Sequence, residues 1–271
     1  MNALDRPSSE TEPQKIVGWR IDRFASLGST SDEARARALA GDPGRLWILA
    51  EEQTQGRGRH GRVWSSPRGN LYASALMIDP CEASIASQIG FVAGVALVAA
   101  ARDLGAAAAM IKWPNDLLWN GAKVSGLLVE GLSTPGRSFA CIVGIGVNCV
   151  SAPEGLAYPV ASLSEALQRP IAPEAVFDRL AARFDETIQL WARGAGFAEV
   201  RARWLAAAAG LGRPVRVASA HETREGLFEG LDPTGRLLLR TASGLQTVEA
   251  ADLFLTQRPA RCNAIADESA N

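Results

Sequence analysis

The string Gly56-Arg57-Gly58-Arg59-His60-Gly61-Arg62-Val63-Trp64 constrains this chain more than any other stretch. It contains G-x-G-x-x-G, which in a dinucleotide-binding fold closes a strand and opens a helix, with an acidic residue about 20 positions further on. Here it runs into Trp64-Ser65-Ser66-Pro67-Arg68-Gly69, which cannot start a helix, and the next acid is Asp79. A doubly wound dinucleotide fold is therefore excluded. The same string fits a kinase glycine loop, but no His-Arg-Asp or Asp-Phe-Gly follows, and no G-x-x-x-x-G-K-[ST] occurs. What remains is a basic loop, Gln53 to Arg68, holding Arg57, Arg59, Arg62 and Arg68 with no carboxylate between Glu52 and Asp79. Glycines let backbone approach an anion, and arginines offer forked donors for carboxylate or phosphate. The loop is expected to be mobile until an anion arrives, because its like charges lack local partners. A solvated surface loop is the competing reading.

Around this loop the chain alternates strand and helix signals. Ile16 to Phe24, Leu46 to Ala50 and Leu71 to Ile78 read as strands, with a helix opening at Gly28-Ser29-Thr30-Ser31 and ending near Ala40. Ser84 to Leu104 reads as a long buried helix. Met110 to Trp113 and Leu117 to Trp119 are short strands, the second turning at Asn120-Gly121. Val124 to Leu132 and Phe139 to Val147 continue the sheet, and Pro173 to Ala192 and Phe197 to Ala209 are helical. Past Gly212 come short strands at Val215–Val217, Thr223–Phe228, Leu237–Leu239 and Leu245–Val248, which suit a small barrel. The fold class is α+β: a leader over 1–15, a main domain over 16–210, a β module over 211–257 and a tail over 258–271.

Three further constellations carry chemistry. Lysine is scarce: only Lys15, Lys112 and Lys123 occur among 28 basic residues. Two of them flank Lys112-Trp113-Pro114-Asn115-Asp116 and Lys123-x-x-Gly126. Asn115 offers donor and acceptor, Asp116 can hold a cation, and Lys123 is a point charge for phosphate. An ordinary hairpin with a polar end reads equally well from these residues alone. Gly144-Ile145-Gly146-Val147-Asn148 bares one strand face, so that a flat ligand, or another strand element, can approach the backbone. Ser29-Thr30-Ser31 caps a helix and can also receive a polar ligand. Together these make a pocket for a negatively charged small molecule, acting by positioning and charge stabilisation; His60 and His221 lie in no nucleophile arrangement.

With these motifs in order, the chain resembles the biotin protein ligases over about Ile16 to Leu255. The resemblance rests on Gly28-Ser29-Thr30, Gln53-x-x-Gly56-Arg57-Gly58-Arg59-x-Gly61-Arg62-x-Trp64, Lys112-Trp113-Pro114-Asn115-Asp116, Lys123-x-x-Gly126-x-Leu128-x-Glu130 and Gly144-x-Gly146-x-Asn148. It implies a catalytic domain related to class II aminoacyl-tRNA synthetases and lipoate ligases, with an SH3-like C-terminal β-barrel. It implies that biotin and MgATP give biotinoyl-5′-AMP, and that the acyl group then passes to a lysine of a biotin carboxyl carrier protein. By the same resemblance biotin lies among Ser29, Thr30, Ser31, Gln53, Gly56, Arg57, Gly58, Arg59, Lys123, Gly126 and Gly144. The adenylate lies near Arg57, Arg59, Lys112, Asn115, Lys123 and Asn148, and the catalytic set is Lys123, Arg59 and Asp116, the last assisting the incoming lysine. Ser31 departs from the family, where many members have Asn.

The rest of the sequence sets boundaries on that expectation. A net charge of -1 argues against a dedicated nucleic-acid binder. The short polar N-terminus leaves no room for a winged helix and is no signal peptide, so the expectation is a monofunctional enzyme in the cytoplasm, without DNA or membrane partners. Cys81, Cys141, Cys149 and Cys262 show no metal-ligand spacing and read as reduced thiols. A lipoate or octanoate ligase of the same fold, and a non-catalytic biotin-binding protein, are the alternatives. Whether two copies pair as a homodimer is left open.

Overall fold

A computed structural model describes residues 18–134, 136, 139–219, 222–249 and 251–255. The expected leader and tail, residues Ile16 and Val17 of the first expected strand, His221 and Cys262 lie outside these residues. The chain divides into two compact units that meet between Ala208 and Ala209.

The first unit is built on a seven-stranded sheet of order β1-β2-β3-β7-β6-β5-β4. Its strands are β1 (Arg20–Phe24), β2 (Leu46–Ala50), β3 (Leu71–Ile78), β4 (Ala109–Lys112), β5 (Asp116–Trp119), β6 (Ala122–Ser133) and β7 (Phe139–Val147). Only β1 and β2 run parallel, joined through helix α1 (Thr30–Leu39); the other pairs are antiparallel. Asn120 and Gly121, with φ of 46° and 84°, make the tight β5–β6 turn that Asn-Gly favours. Alternation along β2 decides what lies on each face. Leu46 and Ile48 bury against Ala34 and Ala38 of α1, together with Leu76, Ala140 and Ile142. Trp47 points the other way, edge-on to Phe177 and Phe184 of α4 (Pro173–Trp191), with ring centroids 5.5 and 5.3 Å away. Each such ring buried contributes roughly 1.5–3 kcal/mol.

Helix α2 (Gln88–Asp103) packs on β4, β5, β6 and α4. It starts four residues later than Ser84, because residues 83–85 form a separate tight turn. Helix α5 (Phe197–Ala206) sets Trp204 against Phe91 of α2. A five-residue helix, α3 (Leu163–Leu167), was not expected; Ser162 caps it and Glu165 closes the capping box. One sheet face is thus sealed by helices, while the other holds α1 and the glycine–arginine loop.

The second unit is a five-stranded antiparallel sheet of order β11-β10-β9-β8-β12. Its strands are β8 (Pro214–Ala218), β9 (Thr223–Leu231), β10 (Leu237–Thr241), β11 (Gly244–Val248) and β12 (Asp252–Leu255), the last of which had no expected counterpart. The strands expected of a small barrel are present, and bonded closure between β11 and β12 is not among the described pairings. The β9–β10 turn is held by Asp232, which accepts from Thr234 N and Oγ1 and from Arg236 N and Nε within 2.6–2.9 Å. Burial alone would raise its pKa, but these donors outweigh burial and bring it to about 2. Among the described residues no helix is long and apolar enough to cross a membrane.

Candidate active site

At the start of α1 the sequence places three hydroxyl residues, and the fold uses them for the helix cap and for contacts to Gln53 and Ser74. Ser29 caps the helix, accepting from Asp32 N at 3.4 Å. Thr30 donates through both N and Oγ1 to Gln53 Oε1, at 2.8 and 3.1 Å. Ser74 of β3 donates to Thr30 Oγ1 at 2.8 Å and pairs with Ser31 Oγ at 3.1 Å. Gln53 Nε2 reaches Ser66 Oγ at 3.0 Å, which tethers both ends of the glycine–arginine loop to α1. Ser29, Thr30, Ser31 and Ser74 are all buried.

The loop itself is folded back on its own backbone. Gly58 N donates to Arg62 O at 2.7 Å and Trp64 N to Gly56 O at 2.9 Å, and His60 and Gly61 turn the tip with φ of 56° and 71°. Gly56 has no room for a side chain: a Cβ would lie 2.5 Å from Ser66 Oγ and 2.6 Å from Trp64 O. The expectation of unpartnered arginines is corrected here. Arg57 meets Asp32 at 2.6 Å and Glu130 at 3.4 Å, and Arg68 meets Glu51 and Glu52. The acids come from α1, from β6 and from just before the loop, so local sequence could not show the first two. Arg59 Nη1 donates to Asn115 Oδ1 at 3.3 Å.

Across the loop, β4 and β5 set Lys112 opposite Asp116, and β5 sets Asp116 opposite Gly126 of β6. A register shift after Leu117 brings Lys123 alongside. Asp116 is 8% exposed and bridges two ammonium groups, Lys112 Nζ at 2.8 Å and Lys123 Nζ at 2.6 Å. Burial pushes its pKa up, but Lys123 and then Lys112 outweigh burial and hold it below the ordinary carboxylate range. The cluster carries a net positive charge.

The bared glycine face is not bare. Gly126 and Gly146 are direct cross-strand partners, and the Trp64 indole lies against both. A Cβ on Gly146 would sit 2.6 Å from Trp64 Nε1, and one on Gly126 3.2 Å from Cζ3. Lys123 Nζ stands 5.4 Å from the Trp64 ring centroid and 5.9 Å from that of Tyr158. Over Gly144 the occupant is Ser31, whose Oγ lies 2.7 Å from the position of a Cβ. Asn115 and Asn148 act first on backbone. Asn115 Nδ2 donates to Leu127 O at 2.6 Å. Asn148 Nδ2 donates to Ala161 O at 3.2 Å, while Ala161 N donates to Lys123 O at 3.0 Å.

The positions singled out from sequence thus fall into one connected region, with the loop as its bridge. Gln53 and Gly56 join α1, Arg59 joins Asn115, and Trp64 joins Lys123, Gly126 and Gly146.

Comparison with known proteins gives the family of the chain. Residues 29–148 match the biotin/lipoate A/B protein ligase family, and residues 210–255 match the biotin protein ligase C terminal domain. The chain is 40% identical over 242 residues to the biotin--[acetyl-CoA-carboxylase] ligase of Paracoccus denitrificans, covering 85% of this chain and 98% of that one. It belongs to the biotin protein ligase family. It is accordingly a ligase enzyme that acts in protein biotinylation. The bifunctional ligase/repressor BirA of Bacillus subtilis is 30% identical over 89% of this chain and 75% of its own. Among solved structures, the biotin protein ligase from Aquifex aeolicus in complex with biotin and ATP superposes with a TM-score of 0.76 at 26% identity, over 88% of this chain and 99% of that one.

Four residues of this candidate site had no role in it assigned from sequence. Trp64 stood in the motif without a function, and its place became legible only when Gly126 and Gly146 proved to be paired neighbours. Ser74 sits in an apolar strand with nothing local to mark it, whereas Asp32 and Glu130 are far in sequence from the arginine they meet. A resident metal site does not fit the described residues of this region. Among the described residues no three His, Cys, Asp or Glu side chains group to hold an ion, and Asp116 is already shared by two lysines.

Proposed function

We propose that this ligase activates biotin with ATP to biotinoyl-5′-AMP, releasing pyrophosphate, and then transfers the acyl group to a lysine of a biotin carboxyl carrier domain. The observation that carries the proposal is the cationic cluster of Lys112 and Lys123 on buried Asp116, set beside the arginine loop. Binding biotin alone brings one carboxylate and no phosphate, whereas adenylation adds phosphate oxygens that call for several cations. A biotin carboxylate oxygen attacks the α-phosphorus, the bond to pyrophosphate breaks, and negative charge builds on the leaving and bridging oxygens. In this reading Lys123 and Arg59 face that charge, with Arg57, Lys112, Asn115 and Asn148 holding the adenylate. Ser29, Thr30, Ser31, Gln53, Gly56, Arg57, Gly58, Arg59, Lys123, Gly126 and Gly144 surround biotin. Fixed donors of this kind are each worth about 10²–10³ in rate.

In the second step the acceptor amine attacks the acyl carbon and AMP leaves. In this reading Asp116 assists the incoming amine, which attacks as the free base and sheds one proton as the amide forms. Magnesium in this reading arrives on the phosphates of the nucleotide, and no protein step depends on it. The names of the relatives favour biotin over lipoate or octanoate, and the bifunctional relatives bring in DNA where this reading proposes a monofunctional, cytoplasmic enzyme. The test is ATP–pyrophosphate exchange with biotin, lipoate and octanoate in turn, followed by mass spectrometry of an isolated carrier domain. Biotin-dependent exchange and one added biotinyl group per acceptor are expected. Exchange driven by lipoate instead would reassign the substrate.

A further inference from the structure

Arg57 has carboxylates from two separate elements at its guanidinium. Nη1 lies 2.6 Å from Asp32 Oδ2 on α1, and Nη2 lies 3.4 Å from both oxygens of Glu130 on β6. Glu130 also takes Arg35 Nη2, one turn beyond Asp32 on α1, at 3.2 Å. The four side chains alternate in sign and are neutral in sum, so the network spends no net charge while fixing the guanidinium from two sides.

Register places Glu130 on the sheet. Gly126, Leu128 and Glu130 stand on one face of β6, opposite Gly146, Gly144 and Ile142 of β7. Glu130 therefore stands about 13 Å along the strand from Gly126, and on the same face as Gly126, Gly144 and Gly146. Its side chain is 19% exposed, against 49% for Asp32, so Glu130 is the better shielded anchor. Removing it would leave Arg35 and Arg57 as neighbouring cations with no charge between them.

We infer that Glu130 is a positioning residue: with Asp32 as the shorter but more exposed second hold, it fixes the Arg57 guanidinium between α1 and β6, so that the anion meets a preorganised donor instead of a swinging one. The inference rests on the proposed adenylation. An unheld arginine would lose rotamer freedom at the moment of reaction, and Glu130 has that cost met in folding.

A double-mutant cycle tests it, with biotin-dependent pyrophosphate exchange as the readout. Glu130→Gln keeps the shape and removes the charge, and should lower kcat/KM about tenfold, the scale of one charge-assisted hydrogen bond. Asp32→Asn should lower it about two- to threefold, as befits an exposed pair. The deciding comparison is the double variant Glu130→Gln/Arg57→Ala, expected to be no slower than Arg57→Ala alone, because Glu130 acts through Arg57. Losses that multiply, or a Glu130→Gln enzyme within twofold of the parent, would overturn the inference. A merely structural role would lower the unfolding temperature and multiply with Arg57→Ala. If Glu130→Gln fails to fold, the same cycle is run with Asp32→Asn, and multiplying losses there overturn the inference equally. A parent chain with no biotin-dependent exchange would instead remove the adenylation reading and this inference with it.

Discussion

Asp116 is held between two lysines at 2.8 and 2.6 Å, and its carboxylate must stay charged for either to be tolerated in a half-buried place. A carboxylate whose folded pKa lies below its unfolded one stabilises the fold above the unfolded value, near 3.9, and loses that contribution as pH falls through the folded value. Asp116→Asn strands two ammonium groups and should cost about 3 kcal/mol at pH 7. The unfolding curves of parent and variant should converge as pH is lowered below 4, because protonation removes from the parent what the substitution removed from the variant. Denaturant unfolding at pH 7 and pH 3 checks this; a difference that persists unchanged at pH 3 would show that charge is not the cause. Lys123 differs from Asp116 in what it serves. Its ammonium is shared between the Asp116 carboxylate and the Trp64 ring, so Lys123→Ala should leave the fold intact while lowering adenylation about 10²–10³-fold. Exchange rates within threefold of the parent would remove Lys123 from the reacting centre.

Two strands, β6 and β7, and one loop make the floor of this site by a single device, paired glycines under an indole. Gly146→Ala tests the device without touching a charge. Its Cβ would lie 2.6 Å from two indole atoms, so Trp64 must lift and carry Gly56–Trp64 with it. The expected result is a loss of about 1–3 kcal/mol in stability, typical of overpacking, and exchange activity lowered at least tenfold. Activity within twofold would mean that the loop works without seating Trp64. The same element explains what sequence shows and what it withholds. The five motifs were legible because each is a local requirement: a cap, a tight turn, a strand face without side chains. The hairpin at Asn120-Gly121 and the strand β2 were legible for the same reason. Neither the seat of Trp64 nor the partners of Arg57 could be read, since they depend on which strands become neighbours. The capping box at Ser162 and Glu165 was present in the sequence as Ser-x-x-Glu, and a five-residue helix is simply too short to leave a period.

Charge at the scale of the whole chain argues about partners more than about fold. The 28 basic and 29 acidic residues leave a net charge of -1, and the described arginines are largely spent within the protein. Arg57 and Arg35 are tied to Glu130, Arg68 to Glu51, Arg183 to Asp103, and Arg240 to Glu229. A DNA-binding surface needs the opposite, several cations left to release counterions from phosphate. The described elements make one mixed sheet with its helices and one antiparallel sheet, and none of them forms a winged helix. The glycine–arginine loop is the local concentration of cations that could mislead, yet Arg57 is neutralised in place and Arg59 is bonded to Asn115 beside Lys112 and Lys123. We therefore predict no sequence-specific DNA binding by this chain, with or without biotin and ATP. The measurement is a mobility shift at 50 and 200 mM salt against the promoter of a biotin-synthesis operon, with the adenylate formed in place. No retardation at sub-micromolar protein is expected under either condition. A shift that appears only with the adenylate and weakens steeply with salt would show that the chain reads DNA after all, despite its balanced charge.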